Sequence, residues 1–251
     1  MMEPETWKPM NILLTNDDGI DSEGLQALFE MLSTVHDVRI LAPIEERSAC
    51  SNTITIRDNL TIRKIDDRRY SLDGFTADCV NVALNSGILP AVDLVISGIN
   101  HGPNLADDVY FSGTVAGART AYIFGVSGIA VSLDCLTTSS FFHDAARFIR
   151  GFISEIPRHL GTVLYFYNIN YPDLPPDEIR GVKYTKLGRR RYVDSYRVLE
   201  EKDASKVLQL MGTIESPEIE GSDVTELRNG YISVTPLTLD CTDYEYLRIM
   251  K

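Results

Sequence analysis

Short apolar runs alternate with helical spacings through the first two thirds of the chain, and this alternation limits the possible folds more than any other feature. Residues 10–14 (MNILL), 38–41 (VRIL), 94–96 (LVI), 128–133 (GIAVSL) and 163–167 (VLYFY) read as buried strands. Between them, Leu25, Leu28, Phe29 and Leu32 share one face of a helix over 22–33. Ala145, Phe148, Ile149, Phe152 and Ile153 share a face of another, and 76–86 and 112–124 read as two more helices. Strands that alternate with helices imply an α/β fold, a doubly wound and mostly parallel sheet with helices on both faces. Residues 53–72 interrupt the series. There, branched apolar and charged side chains alternate, as in a β-hairpin inserted at a sheet edge.

The character changes after Asn168. Pro172, Pro175 and Pro176 break the pattern, residues 181–192 are basic and extended, and 231–234 (YISV) reads as a late strand. The expected organisation is a main domain over 10–170 and a C-terminal extension over 171–251, an extended β-arm suited to oligomerisation.

Charge removes one class of function. With 24 Lys and Arg against 36 Asp and Glu, the formal net charge is −12, which argues against nonspecific binding to duplex nucleic acid. A small anionic substrate stays compatible, because one metal ion reverses the local field. Cys50, Cys79, Cys135 and Cys241 form no CxxC pair, so zinc-ribbon and thioredoxin readings fail and reduced thiols are expected. The opening MMEPETWKPM has no apolar run of signal-peptide length, and no stretch approaches the roughly 20 apolar residues of a membrane helix. No membrane association and a cytoplasmic location are therefore expected.

Four segments carry candidate chemistry, each just after a strand. Thr15-Asn16-Asp17-Asp18-Gly19 places two adjacent carboxylates at a strand's carboxyl end, where parallel sheets bind ligands. Such neighbours repel unless neutralised, and a hard divalent cation with its preference for oxygen does this. Ser97-Gly98-Ile99-Asn100-His101-Gly102-Pro103-Asn104 offers amide groups and close backbone approach. Ser112-Gly113-Thr114 opens a helix whose free N–H groups favour an anion, with phosphate the natural guest. Pro43-Ile44-Glu45-Glu46-Arg47-Ser48 adds the Ser48 hydroxyl and the Arg47 cation. Each segment alone also reads as an ordinary turn, loop or cap. Their convergence points to one metal-and-phosphate site.

The stretches ILLTNDDGIDSEGLQAL, LAPIEERSACSNTIT, DLVISGINHGPNLADDVYFSGTVAGA and GYISVTPL resemble the SurE family of survival-protein nucleotidases. Weaker matches at GFTADCV and KLGRRRY extend the resemblance over most of the chain. The resemblance implies a Rossmann-like α/β domain and a C-terminal part that swaps between subunits of a homodimer, with homotetramers common. It implies a metal-dependent phosphatase of nucleoside 5′- and 3′-monophosphates, some members also acting on short polyphosphate. It places one magnesium or manganese ion on Asp17, Asp18, Ser48 and Asn100, and the phosphate near Asn104, Ser112, Gly113 and Thr114. Asp17 and Asp18 are the expected catalytic pair. Ser51, Phe75-Thr76 and Phe111 depart from the family pattern, which bears on loop shape and substrate preference.

Water or Asp17 is the attacking nucleophile on this reading; the absence of DxDxT favours water. His101 is expected to flank the site. Two rivals stand beside it. One is a nucleotide-binding regulatory module without catalysis. The other is a dinucleotide-dependent oxidoreductase, which needs GxGxxG after the first strand, where this chain has NDDGIDSEG.

Overall fold

In the computed structural model, residues 9–135, 138–160 and 163–250 are described; most of the opening MMEPETWKPM lies outside them. The elements in chain order are β1 (Asn11–Thr15), α1 (Glu23–Leu32), β2 (Asp37–Pro43), β3 (Ile62–Lys64), β4 (Arg69–Leu72), α2 (Thr76–Asn85) and β5 (Leu94–His101). A 3-10 turn (Ala106–Tyr110) leads to α3 (Gly113–Ile123), β6 (Ser127–Leu133), α4 (Phe142–Leu160) and β7 (Phe166–Tyr171). The chain ends with β8 (Val182–Tyr184), β9 (Arg191–Lys202), β10 (Ser205–Glu215), α5 (Asp223–Arg228), β11 (Ile232–Pro236) and α6 (Tyr244–Ile249).

A nine-stranded sheet runs β3-β4-β2-β1-β5-β6-β7-β11-β8, with parallel pairing from β4 through β7. Period-two alternation decides how it is covered. Ile12 and Leu14 of β1 pack with Leu25, Leu28, Phe142 and Ile149 on the α1–α4 face. Leu13 packs with Leu41, Val80, Val95 and Ala121 on the α2–α3 face. Burial on both faces explains why the central strands read as continuous apolar runs. No helix among the described residues is long and apolar enough to cross a membrane.

The chain leaves β1 toward β2 on one side and returns through β5 on the other. This reversal opens a crevice at the carboxyl ends of β1 and β5, the usual ligand position in such sheets. Thr15 pairs with Ser97, so the residues following each strand face one another across it.

Several boundaries differ from those read in the sequence. The inserted hairpin occupies only β3 and β4, while 53–61 is irregular and lies against α2 through Thr55, whose N–H and hydroxyl both donate to Asp78. The strand expected at 94–96 runs on to His101, with a register shift between Ser97 and Asn100, so the SGIN segment is strand and not loop. The strand expected at 163–167 lies at 166–171 instead, fully buried along its length. Asn168 and Asn170 hid it, because polar residues at inward positions end an apolar run. Beyond residue 170, β8 and β11 join the main sheet, β11 antiparallel to β7 and parallel to β8. The paired strands β9 and β10 form a separate two-stranded ribbon.

Candidate active site

The loop after β1 is fixed from within. Asn16 Nδ2 donates to Gly19 O at 2.9 Å and to Ser22 Oγ at 2.6 Å, a turn that Gly19 permits at φ +100°. Thr76 Oγ1 donates to Asn16 O at 2.9 Å and ties the loop to α2. The backbone N–H of Arg47 donates to Asp17 O at 2.7 Å, which brings the loop after β2, and with it Ser48, beside Asp17.

Asp17 is 4% exposed and sits against the start of α3. Its Oδ1 accepts the Thr114 hydroxyl, and the backbone N–H groups of Gly113 and Thr114 face the carboxylate. The free N–H groups read as a phosphate cradle thus serve a carboxylate of the protein itself. The glycine is a steric requirement here: a Cβ at Gly113 would lie 2.7 Å from Asp17 Oδ2 and 2.8 Å from Asp17 Cβ.

Asn100 joins the same point. Its Nδ2 donates to Gly102 O at 2.7 Å and His101 O at 3.1 Å, which turns Oδ1 toward Thr114 Oγ1 at 3.1 Å. One hydroxyl proton therefore stands between two oxygen acceptors, Asp17 Oδ1 and Asn100 Oδ1. Asp18 Oδ2 accepts the His101 N–H at 3.3 Å on the same stretch of β5. Ser48 is exposed, and its hydroxyl donates to Glu46 Oε1 at 2.7 Å. Asp17, Ser48 and Asn100 line one cavity of about 750 Å³.

This donor set suits a hard divalent ion. Oxygen lone pairs outnumber protons, and none of the ion pairs among the described residues involves either carboxylate. Two carboxylates, a hydroxyl and an amide oxygen are what magnesium or manganese accept.

The electrostatics agree. Burial raises the Asp17 carboxyl above 3.8, opposed by the Thr114 hydroxyl. Burial pushes Asp18 up to about 7, with the Asp17 charge acting in the same direction. A raised carboxyl pKa contributes stability that is complete below the unfolded value and is lost as pH rises through the folded one. Metal-free protein is therefore expected to lose stability between about pH 4 and pH 7, by about 2 kcal/mol for Asp18 after discounting for solvent screening. Thermal melts in EDTA should show this slope in the wild type and a weaker one in Asp18→Asn. Equal slopes would mean that Asp18 is not a strained charge.

The remaining candidates are placed as follows. Ser112 caps α3, its Oγ accepting the Val115 N–H at 3.0 Å, and it lines the cavity with Asn104. Asn104 is held on every side: its N–H donates to Asn170 Oδ1, its carbonyl accepts from Asn168 and Asn170, and its Nδ2 donates to Ser132 Oγ. Thr114 is fully buried and engages Asp17 and Asn100. His101 packs its ring edge-on against Phe142, with centroids 4.8 Å apart. Arg47 turns away, with its guanidinium 5.5 Å from the Phe75 ring centroid and 3.8 Å from Asp73.

Sequence reasoning missed two groups. Asn168, Asn170 and Ser132 support the Asn104 loop; their signal was an Asn-x-Asn pair inside a buried strand. Asp108, Arg190 and Tyr192 form a further wall of the cavity, with Arg190 Nη1 and the Tyr192 hydroxyl both donating to Asp108. The Arg189-Arg190-Arg191 run was visible, but its acidic partners lie some 80 residues earlier.

This geometry has relatives. The family model for Survival protein SurE matches residues 12–194. A 5′-nucleotidase SurE of Leptospira interrogans is 40% identical over 239 residues, covering 95% of each chain. Another, of Mannheimia succiniciproducens, is 40% identical over 245 residues, covering 96% of this chain and 98% of its own. The crystal structure of the Sure protein from Aquifex aeolicus is similar at a TM-score of 0.82 and 35% identity, over 96% of this chain and 98% of that one. Agreement in sequence along almost the whole length and in fold leaves one assignment: the chain belongs to the SurE family.

Proposed function

We propose that the protein is a divalent-metal-dependent phosphomonoesterase that hydrolyses nucleoside 5′- and 3′-monophosphates, with short polyphosphate as a further substrate. The observation that carries this reading is the single Thr114 proton between the Asp17 and Asn100 oxygens, with Asp18 anchored to the next residue of β5. That excess of acceptors calls for one cation, and the cavity beside it has room for an ester. The relatives named 5′-nucleotidase support the choice of substrate.

Asp17, Asp18, Ser48 and Asn100 would hold one magnesium or manganese ion. When bound, the ion supplies positive charge against a phosphate oxygen and against the charge that builds in the transition state. The protein's own groups orient the ester. Ser112 Oγ accepts from Val115, so its proton is free for an acceptor in the cavity. Asn104 presents a fixed amide edge, because its backbone and one amide hydrogen are already engaged. Asp17 is pinned by Thr114 and by the start of α3, and a pinned, buried carboxylate is a poor attacking group. This supports water as the nucleophile.

Assays on p-nitrophenyl phosphate and a nucleotide panel test the reading. Turnover is expected to vanish in EDTA and to return with Mn²⁺ or Mg²⁺. Turnover that survives chelation removes the metal, and tight nucleotide binding without phosphate release makes the protein a regulatory binding module instead.

The ribbon β9–β10 supports a homodimer or homotetramer. Its described side chains are exposed, including Tyr196, Val198, Leu199 and Leu208. A lone two-stranded ribbon is marginal in water, so a second copy is the natural cover. A monomer mass in sedimentation equilibrium would remove this proposal.

A further inference from the structure

We propose that Arg119 is a positioning residue of the metal site: with Asn52 it holds the loop that carries Ser48 at a fixed distance from Asp17 and Asn100. The inference rests on the metal-dependent reading of the site and adds side chains that act through Ser48.

Ser48 needs such support. It is exposed, and the stretch from β2 to residue 53 is built of turns and bends. Ala49 and Ser51, which follow it, stand at φ +56° and +50°, in the left-handed region that residues other than glycine avoid. Such a backbone persists only where its surroundings fix it. Before Ser48, the Arg47 N–H is bonded to Asp17 O. After it, the Ser51 N–H donates to Phe111 O at 2.8 Å and the Ser51 hydroxyl to Tyr110 O at 2.6 Å. Asn52 completes the hold. Its Nδ2 donates to Thr120 Oγ1 at 2.9 Å, and its Oδ1 accepts from Arg119 Nη1 at 2.9 Å.

Arg119 joins three elements. Its Nη2 donates to Val109 O at 2.6 Å, in the 3-10 turn that also receives the Ser51 hydroxyl. One planar guanidinium thus ties the Ser48 loop and that turn to α3, a task for which its rigid fork suits it better than an ammonium. Among the described residues no carboxylate pairs with Arg119, so its donors serve neutral acceptors. Helix α3 acts as a ruler for the site. Thr114 in its first turn bonds Asp17 and Asn100, and Arg119, about 7.5 Å further along the axis, bonds the Ser48 loop.

The test is Mn²⁺ binding to the full chain, followed through the electron paramagnetic resonance signal of the free ion. Groups that orient metal ligands typically matter by about tenfold or more in affinity, so Arg119→Ala and Asn52→Ala are each expected to raise the Kd by about tenfold. Arg119→Lys, which can restore one of the two bonds, is expected to raise it by less. In a Ser48→Ala background, Arg119→Ala is expected to add no more than about twofold, because the two changes remove the same ligand. Asn52 lies on a separate element and carries the test if Arg119→Ala fails to fold. Kd values within about threefold of wild type in the variants that fold overturn the proposal while leaving the metal site intact. A full loss of affinity that persists in the Ser48→Ala background also overturns it, because Arg119 then does not act through Ser48. A wild type that binds no Mn²⁺ overturns the metal reading itself.

Discussion

Asp17→Asn is expected to lower kcat on adenosine monophosphate by roughly 10³-fold or more, without lowering the melting temperature of the chelated protein. The two halves of the result have different origins. Activity falls because an amide in place of the carboxylate weakens the grip on a divalent ion and withdraws charge from the site. Stability does not fall, because burial already penalises the ionised carboxyl, and the asparagine Oδ1 still accepts the Thr114 hydroxyl. Steady-state kinetics over a range of Mn²⁺, alongside melts in EDTA, measure both. A kcat within tenfold of wild type at saturating metal would show that Asp17 is not a ligand.

Gly113→Ala is expected to damage activity far more than stability. Gly113 is the first residue of α3, a position at which alanine is normally accepted, and the helix itself gains up to about 1 kcal/mol from it. The new Cβ, however, would meet Asp17 Oδ2 at 2.7 Å and Asp17 Cβ at 2.8 Å, so the carboxylate must move. A displacement of about 1 Å at a reacting centre costs on the order of 10²-fold in rate. The expected signature is a large loss of kcat/KM and of metal affinity with little change in melting temperature. If kcat/KM stays within threefold of wild type, the contact between α3 and Asp17 carries no functional weight.

How much of this was legible in the sequence follows from the range of each interaction. The NDDG, SGIN and SGT segments could be read because each lies at the carboxyl end of a strand whose apolar run is unmistakable, and parallel topology then brings such ends together. Register supplied what the sequence did not: Thr15 opposite Ser97 sets Asp17 and Asp18 facing Asn100. Strand β7 was misplaced because Asn168 and Asn170 look like a break, whereas they point inward to hold the Asn104 backbone. The three-residue strand β8 has no apolar run to find. Its place depends on β11, some 50 residues later. The Asp108–Arg190–Tyr192 wall was invisible for a related reason, since a charge run says nothing about which distant carboxylates it will meet.

The sheet order has a consequence for how the protein is made. Among the described strands, β8 is hydrogen-bonded in the sheet only to β11, and β11 also covers the outer edge of β7. A ribosome delivers the chain from its amino end, so the core through β7 can assemble while that edge is still bare. Until residues 232–236 emerge, β7 is an open template for strands of other nascent chains. Translation must therefore pass Pro236 before the growing polypeptide can seal its own flank.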